Sequence, residues 1–387
     1  MKILTDTIFA MTATLAFAAC NGVSQSPSPA EGLISDLKNA VAEGKFLYAH
    51  QDDPVYGHSW KVEDPAADDL SRSDVKSVCG SAPAIVGFDL GGIELGDSAN
   101  LDGVDFGLMH RAAAKHIEEG GAVTFSWHPR NPLTGGDAWD ISSDRVVASV
   151  LEGGGKHDMF MGWLSNAADF LASLKGKDGN PLPVIFRPWH ENIGSWFWWG
   201  GKLCTAEQYK ALFALTRNYM EKERGLDNLV WAYSPNSEID STAYFSRYPG
   251  DEYVDILGVD HYEYVDRSGD VSEEEAVAAA HRHYVAQLTS DLEYMANYAS
   301  VHGKLIAVSE TGFEGIPYAG WWTDVLLNAV GDAPVAYVLT WRNAWDKPGH
   351  YYAPFSGSAD SENFIRFRNS GKVLFLDDLQ QKWNETD

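Results

Sequence analysis

Two glutamates stand where side chains can do chemistry, each at the end of a short apolar run. Glu191 closes Arg187-Pro188-Trp189-His190-Glu191 after Val184-Ile185-Phe186, and Glu310 closes Leu305-Ile306-Ala307-Val308-Ser309-Glu310. Two carboxylates about 5–5.5 Å apart across a cleft can break a glycosidic bond with retention: one attacks the anomeric carbon while the other protonates the leaving oxygen. Ionised Glu310 raises the pKa of Glu191 by like-charge repulsion and keeps it protonated as the acid. Once Glu310 is esterified its charge is gone, and Glu191 can act as base on water. Trp189 precedes Glu191, and Trp196, Phe197, Trp198 and Trp199 follow it among Gly194, Ser195, Gly200 and Gly201. Flat rings stack on the apolar faces of sugars. The glycines place these rings in a loop rather than a packed interior, so the stretch reads as an aromatic wall around an acid.

The glutamates need a scaffold that brings distant strand ends together. Eight short apolar or aromatic segments, 46–50, 84–89, 122–128, 184–186 leading to Glu191, 229–233, 254–260, 305–310 and 335–341, alternate with segments of helical spacing. Helices are expected over 31–43, 104–118, 160–174, 206–223 and 272–301, the last opened by a capping box of Ser272 and Glu275. Strand–helix alternation argues a parallel sheet of βαβ units, and eight units argue an α/β fold of the (β/α)8 TIM-barrel type. An open doubly wound sheet would carry a glycine-rich phosphate turn after its first strand, where this chain has His50-Gln51-Asp52-Asp53. His50, Asp89, His128, Glu191, Asp260, Glu310 and Trp341 end seven of the eight segments, and barrel enzymes build their sites where strand ends converge. With unbroken strands, Glu191 shares a face with Ile185, Arg187 and Trp189, and Glu310 with Ile306 and Val308. The longest insertions, 51–69, 129–157 and 342–359, follow strands 1, 3 and 8 and are expected to wall the cleft.

The 29 Lys and Arg face 55 Asp and Glu, and a net charge of −26 repels phosphate backbones, which argues against nucleic acid. No run of 18 uninterrupted apolar residues is present, which argues against a spanning helix. Residues 3–19 are mostly apolar and end in small residues before Cys20, as in a lipoprotein signal cleaved before a lipid-bearing cysteine; Ala16-Phe17-Ala18 also fits ordinary signal cleavage. The expected division is a signal peptide over 1–19, a Ser- and Pro-rich tether over 20–30 and one catalytic domain over 31–387. Export to the periplasm or an outer-membrane anchor is expected, with lipid on Cys20 as the sole membrane link. Cys79 and Cys204 fall on opposite faces of the barrel and are expected to stay unpaired. No metal site is expected: His281 and His283 are two apart on a helix, and Asp97, Asp102 and Asp105 miss calcium-loop spacing.

Arg187-Pro188-Trp189-His190-Glu191 with Trp196, Gly258-Val259-Asp260-His261-Tyr262, Ser309-Glu310-Thr311-Gly312, Ser126-Trp127-His128-Pro129 and Thr340-Trp341-Arg342-Asn343 together resemble glycoside hydrolase family 26. The His-Glu pair is the specific part, because most barrel glycosidases of that clan have Asn before the acid. The resemblance implies a retaining β-mannanase that cuts β-1,4-mannosidic linkages by double displacement, without a cofactor. It implies Glu191 as acid/base, Glu310 as nucleophile and Tyr262 as the hydroxyl partner of the nucleophile. It further implies His128 and His190 around the scissile bond, Trp341 under the reacting sugar, Trp196 on the leaving-group side, Arg342 toward the next sugar, and Asp260 close by. The expected partner is a β-mannan or manno-oligosaccharide, met by a monomer. A β-glucanase or xylanase of the same fold is the alternative within this class. A glycan-binding lipoprotein that does not cut is the alternative outside it.

Overall fold

The computed structural model describes residues 27–386. The signal segment and Cys20 lie outside the described residues.

Eight parallel strands form the frame: β1 (Phe46–Gln51), β2 (Ile85–Asp89), β3 (Ala122–Trp127), β4 (Val184–Pro188), β5 (Leu229–Tyr233), β6 (Ile256–Glu263), β7 (Leu305–Phe313) and β8 (Val335–Thr340). Each pairs with its sequence neighbour, and β1 pairs with β8 from Leu47–Tyr337 to His50–Thr340, which closes the barrel and leaves no main edge. This is the expected (β/α)8 barrel.

Helix α1 (Pro29–Ala42) starts inside the segment expected to be tether, because Ser28 caps it: its side chain accepts from Glu31 N–H while Glu31 accepts from Ser28 N–H. Its apolar stripe of Leu33, Leu37 and Ala40 packs with the inward residues Leu47, Ile85, Ile185, Val230, Ile256 and Ala307. The barrel interior is thus filled from below, and chemistry is left to the other end.

Helices α2 (Asp74–Cys79), α3 (Phe106–Glu118), α4 (Val146–Val150), α5 (His157–Ser173), α6 (Ala206–Asn218), α7 (Ser241–Ser246), α8 (Glu273–His302), α9 (Leu327–Val330), α10 (Ser361–Arg368) and α11 (Leu376–Thr386) surround it. The expected capping box opens α8, with Ser272 and Glu275 exchanging hydrogen bonds. Helix α6 ends earlier than its periodicity suggested and continues as a wider turn over Tyr219–Glu223. The loops after β1, β3 and β8 all rise from the carboxyl ends of their strands. Asn343 ties the last of these down: it accepts from Tyr352 and Ala353 N–H at 2.9 and 3.0 Å and donates to Asp74 of α2 at 2.9 Å. Cys79 and Cys204 are both free thiols.

Candidate active site

Arg187 on β4 points into the barrel, as its parity with Ile185 requires. A buried guanidinium needs acid partners, and Arg187 has two. One nitrogen donates to Asp260 at 2.9 Å and to Ser234 at 3.1 Å, and the other donates to Glu310. The two carboxylates hold the guanidinium above its ordinary pKa, against burial, which acts the other way. Tyr262 donates its hydroxyl to the second oxygen of Glu310 at 2.7 Å, so both oxygens of Glu310 face donors, as suits an ionised carboxylate. The sequence reading left Arg187 without a role, although an arginine facing a barrel interior was the signal for one.

Glu310 reaches this position through an irregularity. The β6–β7 register moves from Val259–Val308 to Asp260–Glu310, skipping one residue. Ile306 and Val308 pack outward among the helix-facing core, whereas Ser309 donates inward to Asp260 at 2.7 Å. The expected shared face of Glu310 with Ile306 and Val308 is therefore broken by the bulge, which re-aims side chains next to sites.

The same holds on β4. The strand stops at Pro188, and Trp189 (φ 58°) and Glu191 (φ 51°) take left-handed backbone conformations. Each costs about 1–3 kcal/mol and persists only where its surroundings enforce it. Here Glu191 N–H donates to Ser234 O at 2.7 Å and Tyr209 donates to Trp189 O at 2.9 Å. The turn sends the Trp189 ring outward into the core, where its indole donates to Thr216, and swings Glu191 over the barrel mouth. Glu191 thus does not share a face with Trp189 as expected.

Single oxygens of Glu191, Asp260 and Glu310 lie within 4.8 Å of one another, the only such cluster of three potential metal-ligating side chains among the described residues. Burial and the neighbouring Glu310 charge push the Glu191 carboxyl up to about 7, while the Trp196 indole, donating at 2.6 Å, pulls the other way.

His128 and His190 meet edge to face, with Nε2 atoms 3.0 Å apart. Burial disfavours a charged His128, yet Asp89, 2.6 Å from Nδ1, holds its imidazole above the ordinary value. Burial, then the His128 and Arg187 charges, push His190 well below its own. Asp89 thus orients the His128 ring through Nδ1, and the two imidazoles meet through their Nε2 atoms. Asp89 was legible as a strand-end residue, but its part in orienting His128 was not.

The expected aromatic wall is mostly core. Trp189, Trp198 and Trp199 are fully buried and Phe197 nearly so; Trp199 donates to His190 O at 2.8 Å and Trp198 to Pro129 O at 3.0 Å. Only Trp196 stands open to the cleft, 41% exposed. Its ring lies flat over Gly194, where a Cβ would come within 2.4 Å of the indole. Trp139 on the β3 loop, absent from the sequence reading, stacks on His128 at 5.1 Å and 15°.

Trp341 follows β8, half-buried, its N–H bonded to Thr311 O beside the Glu310 strand end. Arg342 lies apart from the carboxylate cluster. It pairs with Asp102 at 3.1 Å and contacts the Tyr56 hydroxyl at 3.4 Å, bridging the loops after β1 and β2 at the cleft rim.

A closed parallel barrel with two opposed glutamates at its mouth is an architecture on which glycoside hydrolases are built. The particular family follows from comparison with known proteins: the model of glycosyl hydrolase family 26 matches residues 47–293, and the chain belongs to that family. It is 32% identical to a mannan endo-1,4-beta-mannosidase of Bifidobacterium adolescentis over 95% of this chain and 38% of that protein. It is 34% identical to one from Bacillus subtilis over 49% of this chain and 53% of that protein. The chain thus spans about half, or less, of the length of these relatives. Among solved structures, a GH26 beta-mannanase from Bacteroides ovatus superposes with a TM-score of 0.82 and 44% identity, covering 90% of this chain and 95% of that one. A modular endo-beta-1,4-mannanase from Cellulomonas fimi gives 0.77 and 31%, covering 90% and 76%.

Proposed function

We propose that this chain hydrolyses β-1,4-mannosidic bonds with retention, Glu310 acting as nucleophile and Glu191 as acid and then base. The observation that carries the reading is the pairing of Glu310, gripped by Arg187 and Tyr262, with a Glu191 carboxyl raised to about 7 and within 4.8 Å. Held by two donors, Glu310 is aligned for attack on the anomeric carbon while Glu191 delivers its proton to the departing oxygen. Ester formation removes the Glu310 charge, and Glu191 then takes a proton from water. His128 and His190 line the mouth beside Glu191, Trp341 offers a platform next to Glu310, and Trp196 sets the Glu191 proton affinity as well as flanking the leaving group. Relatives named for mannan cleavage support the choice of substrate.

The test is release of reducing sugar from mannan, lichenan and xylan side by side, with the anomeric configuration of the first product followed by NMR. Mannan should be cut with retention, and Glu191→Ala and Glu310→Ala should fold normally and lose at least about 10²–10⁴-fold in rate. Faster cleavage of lichenan or xylan would move the assignment to a glucanase or xylanase, and binding without product to a glycan-capture protein.

We also propose export, with Cys20 as lipid acceptor, on the strength of the apolar 3–19 segment ending in small residues. Cys20→Ser should move the protein from the membrane fraction to the soluble one.

A further inference from the structure

The end of β6 alternates between the barrel mouth and the helix layer. Asp260 and Tyr262 face inward to Arg187 and Glu310, while His261 and Glu263 face outward to α8. Glu263 is buried and takes no part in the chemistry above, yet both of its oxygens are engaged. His281 of α8 places Nδ1 2.5 Å from one, and the Trp321 indole donates to the other at 2.7 Å. Resting on the double-displacement reading above, we propose that Glu263, clamped by His281 and Trp321, is a positioning residue for Tyr262: from the back of the strand it holds the Tyr262 hydroxyl on the nucleophile.

The strand end needs such a hold because its ladder is one-sided there. Strand β5 pairs with β6 at Ile256 and Leu257, and the segment after β5 adds a bridge from Asn236 to Asp260. Beyond Asp260 the ladder continues on β7, where His261, Tyr262 and Glu263 pair with Thr311, Gly312 and Phe313. Residues 264–272 then leave the sheet with no helix or strand of their own and are mostly exposed. Tyr262 therefore stands two residues past the last two-sided pairing, where chain ends open most readily. It is also the donor to the second oxygen of Glu310, so slack in this strand end becomes misalignment of the nucleophile.

His281 closes the open side at the level of Tyr262. Besides meeting Glu263, its ring packs edge to face on Phe313, the β7 partner of Glu263, at 5.8 Å. Nearer the middle of the strand, His261 packs edge to face on Tyr284 of α8 at 4.7 Å, and the Tyr284 hydroxyl meets that of Thr311 at 2.5 Å. From the cleft side Tyr352 meets the Tyr262 ring edge to face at 5.6 Å, in a space that exists because residue 312 is glycine: a Cβ there would collide with the Tyr352 ring. That ring contact is weakly directional. The Glu263 carboxylate, fixed by two donors, is the directional hold.

A carboxylate taken out of water costs stability unless its partners offset the loss. His281 and Trp321 do so here, and alanine at position 263 would leave both of them facing an empty space. Glutamine would not: its oxygen can accept from the Trp321 indole, and its amide N–H can reach the His281 ring, which accepts as well as donates.

A double-mutant cycle on kcat/KM separates positioning from a general loosening of the fold, because residues that act through one another lose activity non-additively. It is run on whichever of mannan, lichenan or xylan the wild-type protein cuts best. Tyr262→Phe should lose about 100-fold, and Glu263→Ala and His281→Ala should each lose about tenfold. In the Tyr262→Phe background both further losses should shrink to within about twofold, since the hydroxyl they hold is gone. Glu263→Gln should stay within about threefold of the wild type. Losses that multiply in the Tyr262→Phe background, full activity in Glu263→Ala and His281→Ala, or a Glu263→Gln as impaired as Glu263→Ala would each overturn the proposal. If Glu263→Ala does not fold, His281→Ala, at a partly exposed position, gives the same reading. No cleavage of any of the three polysaccharides would overturn the double-displacement reading and this proposal with it, whereas multiplied losses on a substrate that is cut overturn this proposal alone.

Discussion

A carboxyl that ionises near 7 stays protonated through the mildly acidic range, so the alkaline limb of kcat/KM should follow the loss of the Glu191 proton. The Trp196 indole bonds to the ionised form and holds the value down. Trp196→Phe removes that bond, and the alkaline limb should move to higher pH; a shift to lower pH would refute the link. The same carboxyl costs stability. Its ordinary value is 4.5, so between 4.5 and about 7 the folded chain binds more protons than the unfolded one, and stability is lost as pH rises through that window. Glu191→Gln keeps an acceptor for Trp196 without the charge. It should be more stable than the parent at pH 8 by up to about 3 kcal/mol and nearly equal at pH 4, read by urea unfolding. An equal difference at both values would trace the gain to something other than ionisation.

The loop from His190 to Gly201 shows what local pattern can and cannot carry. Its glycines and aromatic residues mark a loop at the mouth, and Glu191 and Trp196 are where that reading put them. Trp198 and Trp199 are not, because the left-handed turns at Trp189 and Glu191 fold the segment back onto the β4–helix layer. Period-two alternation has no term for such a turn, nor for the bulge at Ser309. The strands themselves were legible because their apolar runs are short and regularly spaced, and α8 because its capping box is written in four residues. The loop carries its own test. Gly194→Ala puts a methyl within 2.4 Å of the Trp196 indole and must displace the ring. The variant should fold, and its alkaline limb should rise as in Trp196→Phe, with kcat/KM falling about tenfold through the lost leaving-group wall. A normal pH profile would show that Trp196 is not held by Gly194.

At the scale of the whole molecule, the barrel was readable from eight repeating units, whereas the centre of the site was not, because Arg187, Asp260 and Glu310 come from three strands. Their contact exists only once the barrel closes. The charge of −26 is likewise a property of the entire chain. Such an excess repels itself in the compact state, and added salt screens that repulsion over a Debye length of about 10 Å at 0.1 M. A neutral polysaccharide feels no long-range steering from it. Raising NaCl from about 0.02 to 0.5 M should therefore increase the melting temperature while kcat/KM on linear mannan stays within about twofold. The Arg187 pairs are buried and screened little, so the carboxylate cluster keeps its geometry across that range. A steep fall of kcat/KM with salt would mean that charge guides substrate to the cleft, and a neutral mannan chain could then not be the natural ligand.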